Sequence, residues 1–428
     1  MRILHLSWEY PPIVYGGLGR HVHHLAEAQA AAGHDVVVVT QHEPDASFDE
    51  WSNGVRVLRV PMDPPHVPQS DLLAWVMAFD HAVSRAVARL SAGWRPEVVH
   101  GHDWLVAHAA ATAKDLFDAP LVATVHATEA GRHQGWLPGP VNKAIHTVEW
   151  WLTYEARRVI TCSSHMQWEV TMLFDLPVSK VDVVPNGIDL ARWAVSRDAV
   201  DAARTRFAGS GPLIVFTGRL EWEKGAHTLV SAVPQLLSDR PGLRLVVVGQ
   251  GSQREALQTL VEDLGITDAV AFTGWLPDHE LPALAAAADL AVVPSIYEPF
   301  GMVALESVAV GTPLVVADTG GLRELVEHKV AGLHFVAGEV DGLVRAVRAL
   351  LDDEVLGRRL VREGRAVLAE KYAWSQVARR TEAVYAQALA DDRVLRDRGV
   401  RQSQAPAVVV TDGNLLADDD NRPSAAAL

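Results

Sequence analysis

The 428-residue chain has one cysteine, Cys162, so no disulfide can form within it. Positive charge is also scarce. Acidic residues outnumber lysine plus arginine 53 to 38, giving a net charge of −15. A field of that sign repels nucleic acid and anionic lipid over most of the surface, so neither is an expected partner. Long apolar runs are missing too. The stretch from Leu284 is broken by Asp289 and ended by Pro294, far short of the roughly 20 residues of a membrane span, so at most peripheral membrane contact is expected. The opening Met1–Glu9 has too short an apolar run for a signal peptide, which makes the expected location cytoplasmic. Acidic pairs suited to a nucleotide-bound Mg²⁺ are lacking at every expected strand end. Asp-Asp occurs only at 352–353, at 391–392 and in the run 418–420. No metal site is therefore expected, and charge neutralisation falls to cations and helix termini.

What is present fits a large folded protein. Hydrophobic residues make up 49% and charged residues 21%, the balance of a globular chain with full cores. Short β-branched runs alternate with Ala/Leu-rich stretches of helical period, the pattern of a parallel sheet covered by helices on both faces. Strands are expected at 2–6, 35–40, 55–60, 97–100, 121–125, 159–161 and 181–184, with helices from Leu18 to a Gly33 cap and over 71–92. After the turn-rich Pro185–Asp189 the alternation restarts. Strands are expected at 213–217, 243–248, 270–272, 290–293 and 314–317, and helices from Lys224, over 254–264 and over 302–310.

The predicted fold class is thus α/β, with two Rossmann-like doubly wound domains in tandem and a cleft between them. The first domain spans 1–190 and the second 191–373. A final helix at 374–390 carries Trp374, Val377, Thr381, Val384 and Ala388 on one face to be buried. The Gln/Ala/Pro-rich end, 399–428, is expected to be a disordered tail. In open α/β sheets, ligands bind beyond the carboxyl ends of the strands at a switch point, so the active site is expected in the cleft.

Four constellations could carry chemistry. Gly16-Gly17-Leu18-Gly19 follows strand one at the mouth of the first helix. It either lets a backbone approach an anion at the helix N-terminus or is a plain tight turn. A dinucleotide fingerprint would need glycine at 22, where valine stands, and Gly249-Gln250-Gly251 fails in the same way at Arg254. In Gly218–Gly225, Arg219 and Lys224 sit at the positive end of an expected helix, the unfavourable sign for a cation. They either serve a diphosphate or pair with Glu221 and Glu223. Glu298 and Glu306 are eight apart after a strand, with Phe300 and Gly301 between them. Glu306 lies in an apolar helix and needs a partner, either internal or the vicinal diol of a ribose. Glu298, on the strand-end loop, could accept from sugar hydroxyls. His126 ends a strand and points at the cleft, while His100, His102 and Asp103 end another. On the first helix, His21 and His24 could share a metal and His23 could not, with no further ligand evident.

Taken together, Trp8-Glu9-Tyr10-Pro11-Pro12 with Gly16-Gly17, His100-Gly101-His102-Asp103-Trp104, Thr124-Val125-His126, Pro185–Asp189, Gly218–Gly225 and the Glu298/Glu306 pair resemble glycosyltransferase family 4 over about residues 1–390. Within it, the opening Trp8–Pro12 with Tyr15–Val22 and the segment Thr124–Trp136 look most like actinobacterial glycogen-synthase-like α-glucosyltransferases. The chain departs from true glycogen synthases in having Val14 where they carry the lysine of Lys-x-Gly-Gly.

The resemblance implies a GT-B fold, a nucleotide-sugar donor (ADP- or UDP-glucose), retention at the anomeric carbon, no cofactor and no metal requirement. An α-1,4-glucan or a related polysaccharide is the implied acceptor. By that likeness Arg219 and Lys224 bind the donor diphosphate, and Gly17, next to Gly16, lies by its distal phosphate. Glu306 binds ribose, Glu298 holds the donor sugar beside Phe300 and Gly301, and His126 contacts the sugar near the reacting carbon. A GT-B sugar-nucleotide epimerase, a sugar-nucleotide sensor, and a family 4 transferase with a lipid or small-molecule acceptor are the alternatives.

Overall fold

A computed structural model describes residues 1–208, 211–277 and 279–397; the expected tail, 399–428, lies outside them. Two sheets form. The first contains β1 (Arg2–Leu6), β2 (Asp35–Gln41), β3 (Asp49–Ser52), β4 (Val55–Val60), β5 (Val98–His102), β6 (Leu121–Val125), β7 (Arg158–Thr161) and β8 (Val181–Val183), in the order β3-β4-β2-β1-β5-β6-β7-β8. The second contains β9 (Leu213–Thr217), β10 (Arg244–Val248), β11 (Val270–Gly274), β12 (Leu290–Val293), β13 (Leu314–Ala317) and β14 (Leu333–Phe335), in the order β11-β10-β9-β12-β13-β14. Every pairing but one is parallel, and both faces are covered, so the central strands Ile3–Leu6 and Val36–Val39 are buried throughout. The predicted α/β class with two doubly wound sheets is the fold observed.

The differences have local causes. Asp49–Ser52 pairs antiparallel to β4 across an Asn53-Gly54 turn, both residues at positive φ. Asn-Gly is a strong hairpin signal, but Asp-Glu-Trp-Ser has no β-branched residue to mark a strand. The helix expected from Lys224 begins at Ala226. Trp222–Lys224 is a single 3₁₀ turn and Gly225 separates the two at φ +68°, where a Cβ would sit 2.0 Å from the Pro294 carbonyl oxygen. The last helix runs Trp374–Asp397, seven residues past its expected end, because Arg396 bonds Asp118 and Asp392 and ties the extra turns down.

Chain order places the switch points. β1 lies between β2 and β5, and β9 lies between β10 and β12. Loops from the two sides of each sheet diverge there and leave a crevice. One buried apolar cluster runs through both domains, and specific bonds latch them. The Tyr297 hydroxyl donates to Glu169 at 2.9 Å, Ser163 Oγ donates to the Pro299 carbonyl at 2.7 Å, and the Glu324 carboxylate accepts from the Ser164 and His165 amides.

Helix Leu72–Leu90 buries Asp80, whose Oδ1 accepts from the Ala109 amide while Oδ2 has no partner. Burial pushes this carboxyl up to about 7, so the folded protein keeps a proton there that the unfolded chain releases above about 4. Stability from that group is present at low pH and lost as pH rises toward 7. Asp80→Asn keeps the acceptor without the charge. Relative to wild type it is expected to be about 1–4 kcal/mol more stable at pH 8 than at pH 4, read from urea unfolding at both pH values.

Candidate active site between the two domains

The loop after β1 reaches the cleft through Gly16, the N-cap of helix Gly17–Ala31. The Glu9 carboxylate shapes it by accepting from the Tyr15 and Gly16 amides at 2.8 and 3.1 Å. A Cβ at Gly19 would come within 2.9 Å of Glu9 Cβ, so this glycine is required by close approach. A Cβ at Gly17 would lie 3.7 Å from Met302 Cγ, the first residue of helix Met302–Val310 in the second domain. The N-termini of these two helices therefore converge on the same part of the cleft, and both favour an anion.

Opposite this loop are the ends of β9 and β12. Arg219, 37% exposed, donates to Glu223 at 3.2 Å; Glu223 also lies 4.0 Å from Arg132 of the first domain. Lys224 Nζ is 2.8 Å from Glu298, which also accepts from Ser295 Oγ at 3.1 Å. The two cations thus do not pair with Glu221 and Glu223 together. Arg219 takes Glu223, Lys224 takes Glu298, and Glu221 instead accepts from Ser252. Gly301 holds φ +106°, a conformation that side chains rarely adopt, and a Cβ there would press on Leu322 Cδ2 at 2.5 Å. Phe300 is buried, its ring edge-on to Tyr372, so it contributes packing and backbone to this site.

Glu306 is buried and has an internal partner, Arg20 of the first helix, 286 residues away, as well as other contacts. The need for a partner was legible from its apolar helix, but Arg20 as that partner was not. Its i,i+4 neighbours say nothing about a residue across the cleft.

His126, at the end of β6, is neutral because burial lowers it to about 3. Its amide donates to Asp103 Oδ1 at 2.7 Å. Asp103 sits at φ +60°, and burial pushes its carboxyl up to about 7. The pairing of His21 with His24 is overturned. His21 turns inward against His102 and His126, while His24 lies outward with His23 and Glu27, three and four residues along the same helix. The imidazoles that surround His21 come from the ends of β5 and β6, far away in sequence.

The sequence matches two family models in the order of the two sheets. Residues 15–192 match Glycosyltransferase Family 4 and residues 199–367 match Glycosyl transferases group 1. It is 44% identical to a glycogen synthase of Mycobacterium tuberculosis over 96% of this chain and 98% of that one. The chain belongs to glycosyltransferase family 4.

This transferase is also 32% identical to a D-inositol 3-phosphate glycosyltransferase of Acidothermus cellulolyticus, covering 88% of this chain and 87% of the other. Among solved structures it resembles sucrose-phosphate synthase of Thermosynechococcus elongatus, at 26% identity, TM-score 0.79, and 91% and 99% coverage. The catalytic domain of starch synthase IV from Arabidopsis thaliana, solved with ADP and acarbose, shares the fold at 19% identity, TM-score 0.72, and 91% and 99% coverage. The fold is GT-B and the enzyme is a hexosyltransferase. Among the described residues no helix is long and apolar enough to cross a membrane.

Proposed function

We propose that this transferase moves glucose from ADP- or UDP-glucose, with retention, to an α-1,4-glucan or related polysaccharide, with no metal holding the diphosphate. The observation that carries the reading is the convergence of Arg219, Lys224, Glu298 and Glu306 on the β9/β12 crevice, facing the Gly16-Gly17 helix terminus. The relationship to glycogen synthase supports glucose as the transferred sugar. As the glycosidic bond breaks, the diphosphate gains negative charge, which Arg219, Lys224 and the two helix N-termini would take up in this reading. The diphosphate would draw Lys224 from Glu298 and free that carboxylate to accept from donor-sugar hydroxyls. Neutral His126 would contact the sugar near the reacting carbon.

A panel of ADP- and UDP-glucose against maltooligosaccharides and inositol 3-phosphate, with linkage analysis, tests this. Transfer to maltooligosaccharide that survives EDTA is the expected result. Loss in EDTA restored by Mg²⁺ or Mn²⁺ would remove the metal-free step. Preference for inositol 3-phosphate would align the enzyme with its inositol-phosphate relatives, and nucleotide release without any acceptor would point to an epimerase.

Glu306 is read as the ribose-binding acid, with Arg20 holding its charge in the donor-free protein. Glu306→Gln is expected to weaken donor binding by about 1–3 kcal/mol, the scale for losing charge-assisted hydrogen bonds. Calorimetry decides it: normal donor affinity with a much lower melting temperature would make Glu306 a purely structural partner of Arg20.

A further inference from the structure

Five histidines meet under the N-terminal half of helix Gly17–Ala31: His5 on β1, His21 on the helix, His100 and His102 on β5, and His126 after β6. Four of them are fully buried, and the catalytic reading uses only His126. Their hydrogen bonds determine where each proton sits. Gln29 Oε1 can only accept, so His5 Nε2, 2.7 Å away, carries the hydrogen and His5 Nδ1 is a lone pair. His102 Nε2, 3.0 Å from that lone pair, must then carry its own hydrogen, which leaves His102 Nδ1 as a bare acceptor. That acceptor faces His126 Nε2 at 3.3 Å. His100 is committed on both sides, to the Tyr385 hydroxyl and Thr124 Oγ1, each at 2.7 Å.

His21 is the exception. It is 2% exposed, and among the described residues neither ring nitrogen has a partner within hydrogen-bond geometry. Asn186 lies near enough to favour its charged form, yet Asn186 Oδ1 is itself unpartnered. Ligand atoms of His21, His102 and His126 all lie within 4.8 Å of one another. In a tetrahedral site with zinc–nitrogen bonds of about 2.0–2.1 Å, imidazole nitrogens sit roughly 3.3–3.4 Å apart, the spacing already present between His102 and His126.

We propose that His21, His102 and His126 form a binding site for a divalent late transition metal of the zinc class, and that its occupation inhibits transfer. Three imidazoles suit zinc, copper or nickel and leave magnesium and calcium unserved. The chain Gln29–His5–His102 is the outer set of hydrogen bonds that aims a metal-binding histidine and settles its tautomer.

Inhibition rests on the proposed role of His126. Without metal its Nε2–H donates to His102, and Nδ1 is free to accept from a sugar hydroxyl. Metal on Nε2 moves that hydrogen to Nδ1 and turns the acceptor into a donor.

The full chain is dialysed against Zn²⁺, and Co²⁺ is used for its tetrahedral absorption band. His21→Leu is the main variant, with His21→Gln in reserve should the leucine protein fail to fold. A His23→Ala/His24→Ala protein controls for the outward cluster. Wild type and the control are expected to bind one equivalent with the tetrahedral band and to lose transfer in micromolar Zn²⁺, recovering in EDTA. The His21 variants should keep metal-free activity and bind at least about 100-fold more weakly, beyond the roughly 10–100-fold cost of losing an outer partner. Equal Zn²⁺ affinity in wild type and His21 variants, or substoichiometric binding by wild type, would overturn the site. Tight binding at His21 with transfer unimpaired would establish the site and instead overturn the role given to His126.

Discussion

Arg219→Ala and Lys224→Ala are each expected to lower kcat about 100-fold or more, the scale for removing one preorganised charge-stabilising donor. The leaving diphosphate carries more charge in the transition state than the intact donor does, so these cations bind the departing group more strongly and raise kcat. Arg219→Lys should rescue poorly, because an ammonium cannot copy the two-pronged guanidinium. Since both groups serve one diphosphate, the double variant should lose less than the two single losses combined. The structure adds a complication at Lys224. Its removal leaves Glu298, only 13% exposed, with Ser295 as its remaining hydrogen-bond donor among the described residues. Lys224→Ala/Glu298→Gln relieves that stranded charge, so it should melt higher than Lys224→Ala without recovering kcat. Steady-state kinetics on this set are decisive: an unchanged kcat with only a raised donor KM would mean uniform binding and would withdraw the catalytic role from both cations.

Tyr385→Ala is expected to cost about 3–5 kcal/mol, a large part of the roughly 5–15 kcal/mol by which a protein of this kind is stable. Tyr385 lies on the last helix, Trp374–Asp397, which returns from the second domain to pack on helix Gly17–Ala31 of the first. The ring is fully buried, and its hydroxyl lies 2.7 Å from His100 Nδ1 and accepts from Gln29 at 3.2 Å. Tyr385→Phe keeps the volume and strands those two groups, for about 1–3 kcal/mol. Cutting the chain before Trp374 removes the whole apolar face and should leave a first domain that does not refold. Urea unfolding of the three proteins checks the order. A loss below about 1 kcal/mol in Tyr385→Ala would mean that the returning helix is not integral to the core.

Local pattern alone determined the two-sheet α/β architecture, since β-branched runs such as Val36–Val39 and Leu245–Val248 can only be strands buried on both faces. The strand-end positions of Arg219, Lys224, Glu298 and His126 were equally legible, because a residue just after a parallel strand lies at the carboxyl edge whatever the sheet order. Short polar or irregular pieces were not legible. Asp49–Ser52 is a strand only because β4 offers it an edge, and the Trp222–Lys224 turn is cut off from the helix after it by Gly225, whose left-handed φ of +68° sits where a Cβ would meet the Pro294 carbonyl. Partnerships between residues far apart in sequence, within each domain and, for Arg20 with Glu306, across the cleft, were decided by tertiary structure alone. Arg20 meets Glu306 across the cleft because the first helix faces the second domain, Lys224 meets Glu298 because β9 and β12 are neighbours in the second sheet, and His21 meets His102 and His126 because the first helix packs over the ends of β5 and β6. Helical and strand periods say which way a side chain points from its own element, while what it meets is set by sheet order and domain packing, which couple residues up to hundreds of positions apart.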